Sequence, residues 1–238
     1  MLHVGFRVVN SAERRASRAT QDRRTAAEMA LPVADGAVEL VLVRLEAELA
    51  ATHELARCLS QDQRVRAGRL VFERDRRRFM IGRARLRHLL AVRLGTCAEL
   101  VELDYGPQGK PSLAGGFAAS DLRFNVSHCG DVALYAFSRC REIGVDVEAV
   151  REMPDADDIV ERFFSPRERA AYRRLPARER PRGFFRCWTR KEAFIKALGS
   201  GLAYPLPDFD STPAPRGWSL RSFVPGPGLV GAVAVSTK

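Results

Sequence analysis

The chain has 238 residues, 46% of them hydrophobic, with a formal net charge of +10 and a pI near 10.0. That is enough apolar content for a packed core, and charges interrupt every apolar stretch well short of the ~18 residues a membrane helix needs. A membrane protein is excluded on this reading, and the basic balance points to anionic partners: nucleic acid, phosphorylated small molecules or an acidic protein surface.

The five cysteines, Cys58, Cys97, Cys129, Cys140 and Cys187, are odd in number and contain no C-x-x-C pair. They read as reduced thiols of a cytoplasmic protein. Cys129 follows His128 directly, but neighbours on a strand point to opposite faces, which argues against a nucleophile and base pair. Of the 39 basic residues only four are lysines: Lys110, Lys191, Lys196 and Lys238. An ammonium is a compact charge able to give up a proton, so the three internal lysines call for a reason.

In chain order, residues 1–35 carry clustered arginines without hydrophobic periodicity and read as a mobile extension. Residues 38–45, V-E-L-V-L-V-R-L, alternate as a strand. Residues 60–94 have a helical rhythm that Ser60 and Gln63 open as a capping pair. Val65, Leu70, Val71, Phe79, Leu86, Leu89 and Leu90 form the expected buried faces; Arg64, Arg66, Arg74, Arg76, Arg77 and Arg78 lie elsewhere, a solvated face with some members available for phosphate. A strand then meets a turn rich in glycine and proline that ends on Lys110.

Two strands follow, 121–130 and 131–139, turning at Gly130 and Asp131, and a third covers 141–150. A helix is expected near 162–175, and another over 184–198 that stops at Gly199 and Gly201. The tail closes as a hairpin. Strands interleaved twice with long helices predict an α+β fold of two similar halves meeting near residue 143: 36–143 and 144–238.

Three clusters carry chemistry. In I-G-V-D-V-E at 143–148 the alternation turns Ile143, Val145 and Val147 inward and sets Asp146 and Glu148 side by side on the other face. Adjacent carboxylates repel, and a hard divalent cation is one reason to keep them; an exposed acidic strand face is the other. In W-T-R-K-E-A-F-I-K at 188–196, Glu192 and Lys196 share one helical face, either as a plain surface ion pair or as a pair held at a set angle by Trp188, Phe194 and Ile195. In N-V-S-H at 125–128, a hydroxyl and an imidazole end a strand before a turn.

The order F-N-V-S-H, I-G-V-D-V-E, F-F-R-C-W-T-R-K-E-A-F-I-K-A-L-G-S-G-L resembles the 4'-phosphopantetheinyl transferases of the long, Sfp-like type. G-K-P at 109–111 and R-R-F-M-I-G-R at 77–83 are also similar, so the resemblance runs from about residue 60 to 209. It implies two pseudo-symmetric halves, each a small mainly antiparallel sheet against a long helix. It implies transfer of 4'-phosphopantetheine from coenzyme A to a serine of an apo carrier protein, with release of 3',5'-ADP.

By the same resemblance Asp146, Glu148 and Glu192 would hold Mg2+, Lys196 would act on the phosphates and the leaving group, and Glu192 on the incoming hydroxyl. His128 and Lys110 would bind the nucleotide end, with Ser127, Arg66 and Arg78 as further candidates. The partners implied are coenzyme A and an acyl, peptidyl or other carrier domain, with no nucleic acid and a monomeric chain. Gln63 stands where relatives carry a basic residue, and the first 35 residues match nothing in the family pattern. Two other classes fit part of the pattern: a basic nucleic-acid-binding protein, which leaves the three acids without a role, and another Mg2+-dependent enzyme acting on nucleotide diphosphates.

Overall fold

The computed structural model describes residues 26–33, 36–46 and 52–237, with side chains from residue 38 onward within those ranges. Strands β1 (Ala26–Val33) and β2 (Gly36–Arg44) form an antiparallel hairpin in which Val33 faces Gly36. This corrects one expectation: residues 26–33 belong to a sheet and not to a mobile extension. Ala27, Met29, Leu31 and Val33 alternate in a way that the upstream arginines conceal. The remainder of that expected extension lies outside the described residues.

Helices α1 (Thr52–Leu55), α2 (Gln61–Gly68) and α3 (Glu73–Leu94) come next, then the small hairpin β3 (Leu103–Tyr105) and β4 (Pro111–Leu113). Strands β5 (Leu122–Cys129), β6 (Val132–Arg139) and β7 (Ile143–Ala149) lead to helices α4 (Ala156–Phe163), α5 (Pro166–Arg173) and α6 (Arg180–Leu198). Strands β8 (Trp218–Phe223) and β9 (Leu229–Ser236) make the closing hairpin.

One sheet has the order β1-β2-β6-β5 and the other β7-β9-β8, both antiparallel. They stack between the two long helices. On one side of the first sheet Val41, Val43, Phe124, Tyr135 and Phe137 pack on Ile81, Ala84, Leu86 and Leu90 of α3. The alternate residues Val38, Leu40, Leu42, Leu134 and Ala136 pack on Ile143, Val145, Val147, Val233 and Val235 of the second sheet. Beyond that sheet Ala193, Phe194 and Ala197 of α6 meet Leu220, Ala232 and Ala234. Period-two alternation thus gives each sheet two buried faces and the molecule four layers: helix, sheet, sheet, helix.

The sequence signals at helix ends hold. Ser60 and Gln63 form the capping box of α2, and Gly199 closes α6 in the left-handed region, at φ 72°, where a side chain would be strained. The helix expected over 162–175 is two helices. Ser165 caps α5 through a capping box with Glu168, and Pro166 occupies its first turn, so α4 ends before it. Val65 and Val71 are 45% and 86% exposed and not buried as expected, because the chain breaks between α2 and α3 at 69–72 and takes both off the apolar face.

Candidate active site at the seam between the sheets

Asp146 and Glu148 leave β7 on the face opposite Val145 and Val147, toward α6. Two residues earlier on that face, Gly144 is what lets the helix come close. A Cβ there would lie 2.0 Å from the Ala193 carbonyl oxygen and 2.3 Å from the Ala197 nitrogen. Backbone therefore rests on backbone, and the turn of α6 between Ala193 and Ala197 delivers Glu192 and Lys196 to the strand.

Lys196 does not pair with Glu192, as the surface-pair reading would have it. Its Nζ donates to Asp146 Oδ1 at 2.6 Å and to Ser127 Oγ at 3.2 Å, and Ser127 Oγ donates to the same Asp146 oxygen at 2.8 Å. Asp146 is 3% exposed, and its second oxygen, Oδ2, is buried without a partner. A strand face open to solvent does not describe it. Glu148 is half-buried, with Oε2 taken by Arg151 at 3.3 Å and approached by the Cys129 sulfur at 3.6 Å.

Burial raises the Glu192 carboxyl above its ordinary value, Asp146 and Glu148 raise it further, and Lys196 opposes them. Among the described residues no three histidine, cysteine or acidic side chains close into a ready-made metal cluster. The donor chemistry nonetheless fits a hard cation. One carboxylate oxygen of Asp146 is orphaned in the interior, and the charges of Asp146 and Glu148 act on Glu192 beside it.

Cations reach this point from both long helices. Desolvation, then the charges of Lys196 and Arg83, lower the pKa of His128 below the usual imidazole value; Asp146 works against them. His128 sits next to the last residue of β5. Arg83 on α3 was not singled out in the sequence. Its guanidinium lies 5.4 Å from the Phe79 ring and 5.6 Å from the Tyr105 ring, and its Nη1 is buried with no hydrogen-bond partner. Phe79 and Arg83 are four apart on one helix, the spacing that would have marked them.

Arg66 is exposed and lies over the same Phe79 ring at 5.6 Å. Two guanidinium groups thus share one ring, an arrangement chemically suited to an anion. Arg78 is engaged differently. It pairs with Asp131 in the β5–β6 turn, with Asp75 at 3.7 Å and with Glu46 at 3.9 Å, and so braces the hairpin that carries His128. Gln63 is buried at 2% and holds Tyr105 in place: its Nε2 donates to the phenol oxygen at 3.1 Å while its Oε1 accepts from Arg87 at 3.1 Å.

Lys110 is not brought to His128. Its ammonium donates to Glu142 at 3.0 Å and to the Ala197 carbonyl at 2.7 Å, at the end of the seam where β7 begins. Lys191 is wholly buried, and its three N–H groups are spent on the carbonyls of Leu206 and Phe209 and on Glu168. A planar guanidinium could not serve those three acceptors, which explains a lysine in an arginine-rich chain.

A family profile described as "4'-phosphopantetheinyl transferase superfamily" matches residues 142–224, and one described as "4'-phosphopantetheinyl transferase, N-terminal" matches residues 47–139. The chain is 39% identical over 208 residues to 4'-phosphopantetheinyl transferase HetI of Nostoc sp., covering 84% of this chain and 87% of that one. The chain belongs to the 4'-phosphopantetheinyl transferase superfamily. It is also 34% identical over 160 residues to the L-aminoadipate-semialdehyde dehydrogenase-phosphopantetheinyl transferase of Xenopus laevis, covering 63% of this chain and 53% of that one. To the 4'-phosphopantetheinyl transferase of Bacillus subtilis it is 31% identical over 151 residues, covering 63% and 65%. The two profiles divide this transferase between β6 and β7, where the stacked sheets exchange the chain.

Proposed function

We propose that this chain transfers 4'-phosphopantetheine from coenzyme A to a serine hydroxyl of an apo carrier protein and releases 3',5'-ADP. The observation that carries the reading, beside the family, is the meeting at one seam of buried Asp146 and half-buried Glu148 and Glu192 from the second half with His128 and Arg83 from the first, Arg83 Nη1 being without a partner among the described residues. The serine oxygen would attack the pantetheine-bearing phosphorus, and the bond from that phosphorus to the oxygen of 3',5'-ADP would break.

Glu192, whose proton affinity is raised by burial and by two neighbouring acids, is suited to take the serine proton. Lys196 is suited to meet the charge on the departing phosphate. In the free protein it is parked on Asp146, and a bound diphosphate competes with that carboxylate for the ammonium. His128, Arg66 and Arg83 would hold the nucleotide phosphates, with Arg78 bracing them. Lys110 would contribute only on release from Glu142.

Asp146, Glu148 and Glu192 would hold Mg2+, which supplies charge neutralisation at the diphosphate. The two halves, 36–143 and 144–238, would be pseudo-symmetric, since each pairs a small antiparallel sheet with one long helix. A monomer in the cytoplasm, docking acidic carrier domains on its basic surface, fits the charge. No helix among the described residues is long and apolar enough to cross a membrane.

The test is intact mass spectrometry of apo acyl and peptidyl carrier proteins incubated with the protein, coenzyme A and Mg2+, with an EDTA control. A gain of ~340 Da, lost with EDTA, is the expected result of metal-assisted transfer. No gain on any carrier would overturn the reading.

A further inference from the structure

Strands β5 and β7 are the facing edges of the two sheets, yet they share no ladder. Side chains do that work. Asn125 Oδ1 accepts the Val145 amide at 3.0 Å, Ser127 Oγ the Val147 amide at 3.3 Å and Cys129 Sγ the Ala149 amide at 3.3 Å. Every second residue of one strand thus satisfies every second amide of the other, in parallel sense. An edge amide buried between sheets without a partner is costly, so the three acceptors fix which residue of β5 stands beside which residue of β7.

Ser127 is the middle rung, 3% exposed. A hydroxyl has one proton and two acceptor positions. Here the proton goes to Asp146, and the acceptor positions face the Val147 amide and Lys196. In the free protein no donor or acceptor position of this hydroxyl is left over for a ligand. Its strand neighbour His128 lies within reach of the charges of Lys196 and Arg83.

We propose that Asn125, Ser127 and Cys129 form a side-chain ladder that sets the register of the two halves, and that Ser127 is a positioning residue for Asp146 and Lys196, not a nucleotide contact. The inference rests on the transfer reading only where activity is the readout. Register matters because one slip along the seam would carry Ser127 away from Asp146 and leave the acids of the second half out of step with the cations of the first.

The test uses the full chain carrying Ser127→Ala, with coenzyme A affinity measured by calorimetry in EDTA and kcat and Mg2+ half-saturation measured separately. The expected result is a Kd for coenzyme A within about twofold of the parent, with kcat or apparent Mg2+ affinity reduced about 10- to 100-fold, as for other residues that orient metal ligands. A Kd weakened tenfold or more in EDTA, with kcat retained at saturating coenzyme A, would make Ser127 a nucleotide contact and overturn the proposal. Unchanged values throughout would overturn it equally.

Cys129 supplies a milder pair should Ser127→Ala not fold. Cys129→Ser keeps the acceptor and Cys129→Val removes it at similar size. The serine variant should match the parent in melting temperature, and the valine variant should melt lower with weaker apparent Mg2+ affinity. A valine variant equal to the parent in both would show that the ladder does not set the register. If no carrier is modified by the parent protein, the transfer reading fails, while coenzyme A affinity and melting temperature still decide the ladder.

Discussion

The two long helices show how differently the halves are built. On α6, Ala193 and Ala197 lie on the backbone of β7 at Gly144, and Glu192 and Lys196 are presented over buried Asp146. On α3 the arginines are disposed unevenly, with Arg87 buried against Gln63 and the others nearer the surface. Arg76 and Arg77 are paired with Glu73, while Arg83 lies against two aromatic rings and, among the described residues, its buried Nη1 has no hydrogen-bond partner. The half bearing the acids is fixed by close packing. The half bearing the cations leaves at least one buried donor, Arg83 Nη1, without a partner among the described residues. On the proposed reading, chemistry that needs a defined geometry would sit on the first, and phosphate binding on the second.

That contrast predicts where damage is greatest. Glu192→Gln removes the proposed base without changing volume. It should lower kcat/KM by about 10³-fold or more, roughly 4 kcal/mol of transition-state stabilisation, with the circular dichroism spectrum unchanged. Near-full activity in the mass assay at saturating Mg2+ would remove Glu192 from the chemistry and leave α6 a purely structural helix.

Gly144→Ala comes next. Its methyl group has no room against the Ala193 carbonyl and the Ala197 nitrogen, so α6 must move off β7. Overpacking of this kind costs about 1–3 kcal/mol, and a 1 Å misplacement of catalytic groups about 10²-fold in rate. Thermal melting and kcat should fall together. A variant that melts lower but keeps kcat would show that the distance between strand and helix is not what sets the chemistry.

On the other half the losses should be smaller and of another kind. Arg83→Ala should raise the KM for coenzyme A about tenfold and leave kcat close to the parent value, as expected when a phosphate contact of equal strength in ground and transition states is lost. Arg77→Ala on the same helix loses only an exposed i,i+4 pair with Glu73, worth about 0.3–0.5 kcal/mol, and should leave that KM unchanged. Equal effects from the two would mean that net charge, and not the unpaired guanidinium, draws the nucleotide.

Much of this was legible in the sequence, and the failures have physical causes. Strand alternation at 143–148 put Asp146 and Glu148 on one face, and Trp188, Phe194 and Ile195 marked the core side that sets the angle of Glu192 and Lys196; that the two sets would meet came from the family resemblance. Sequence spacing could not say that Lys196 would choose Asp146 over Glu192, because that choice depends on how closely α6 lies on β7. Gln63 looked like a lost cation, yet it is a buried bracket for Tyr105 and Arg87, since only the fold shows which way a helical side chain turns. Ser127 was a candidate nucleotide contact only through the family resemblance. The saturation of its hydroxyl needs three partners from two other elements and cannot be read from one strand.

The smallest effect expected is a pH dependence at His128, where the two halves meet. In the free protein desolvation and the charges of Lys196 and Arg83 hold its pKa below the ordinary 6.5, so the ring is neutral at pH 7. A phosphate dianion beside it favours the protonated form and raises that pKa on binding. A group whose pKa is raised by binding contributes fully below its free value and ceases to contribute as pH rises through its bound value. Coenzyme A should therefore bind with proton uptake near pH 7, seen as a binding enthalpy that depends on the ionisation heat of the buffer, and its Kd should weaken as pH rises from about 6 to 8. His128→Asn should abolish both signatures while sparing kcat. Proton uptake that persists in this variant would move the titrating group to Glu192, and the proton would then belong to the acid half of the site.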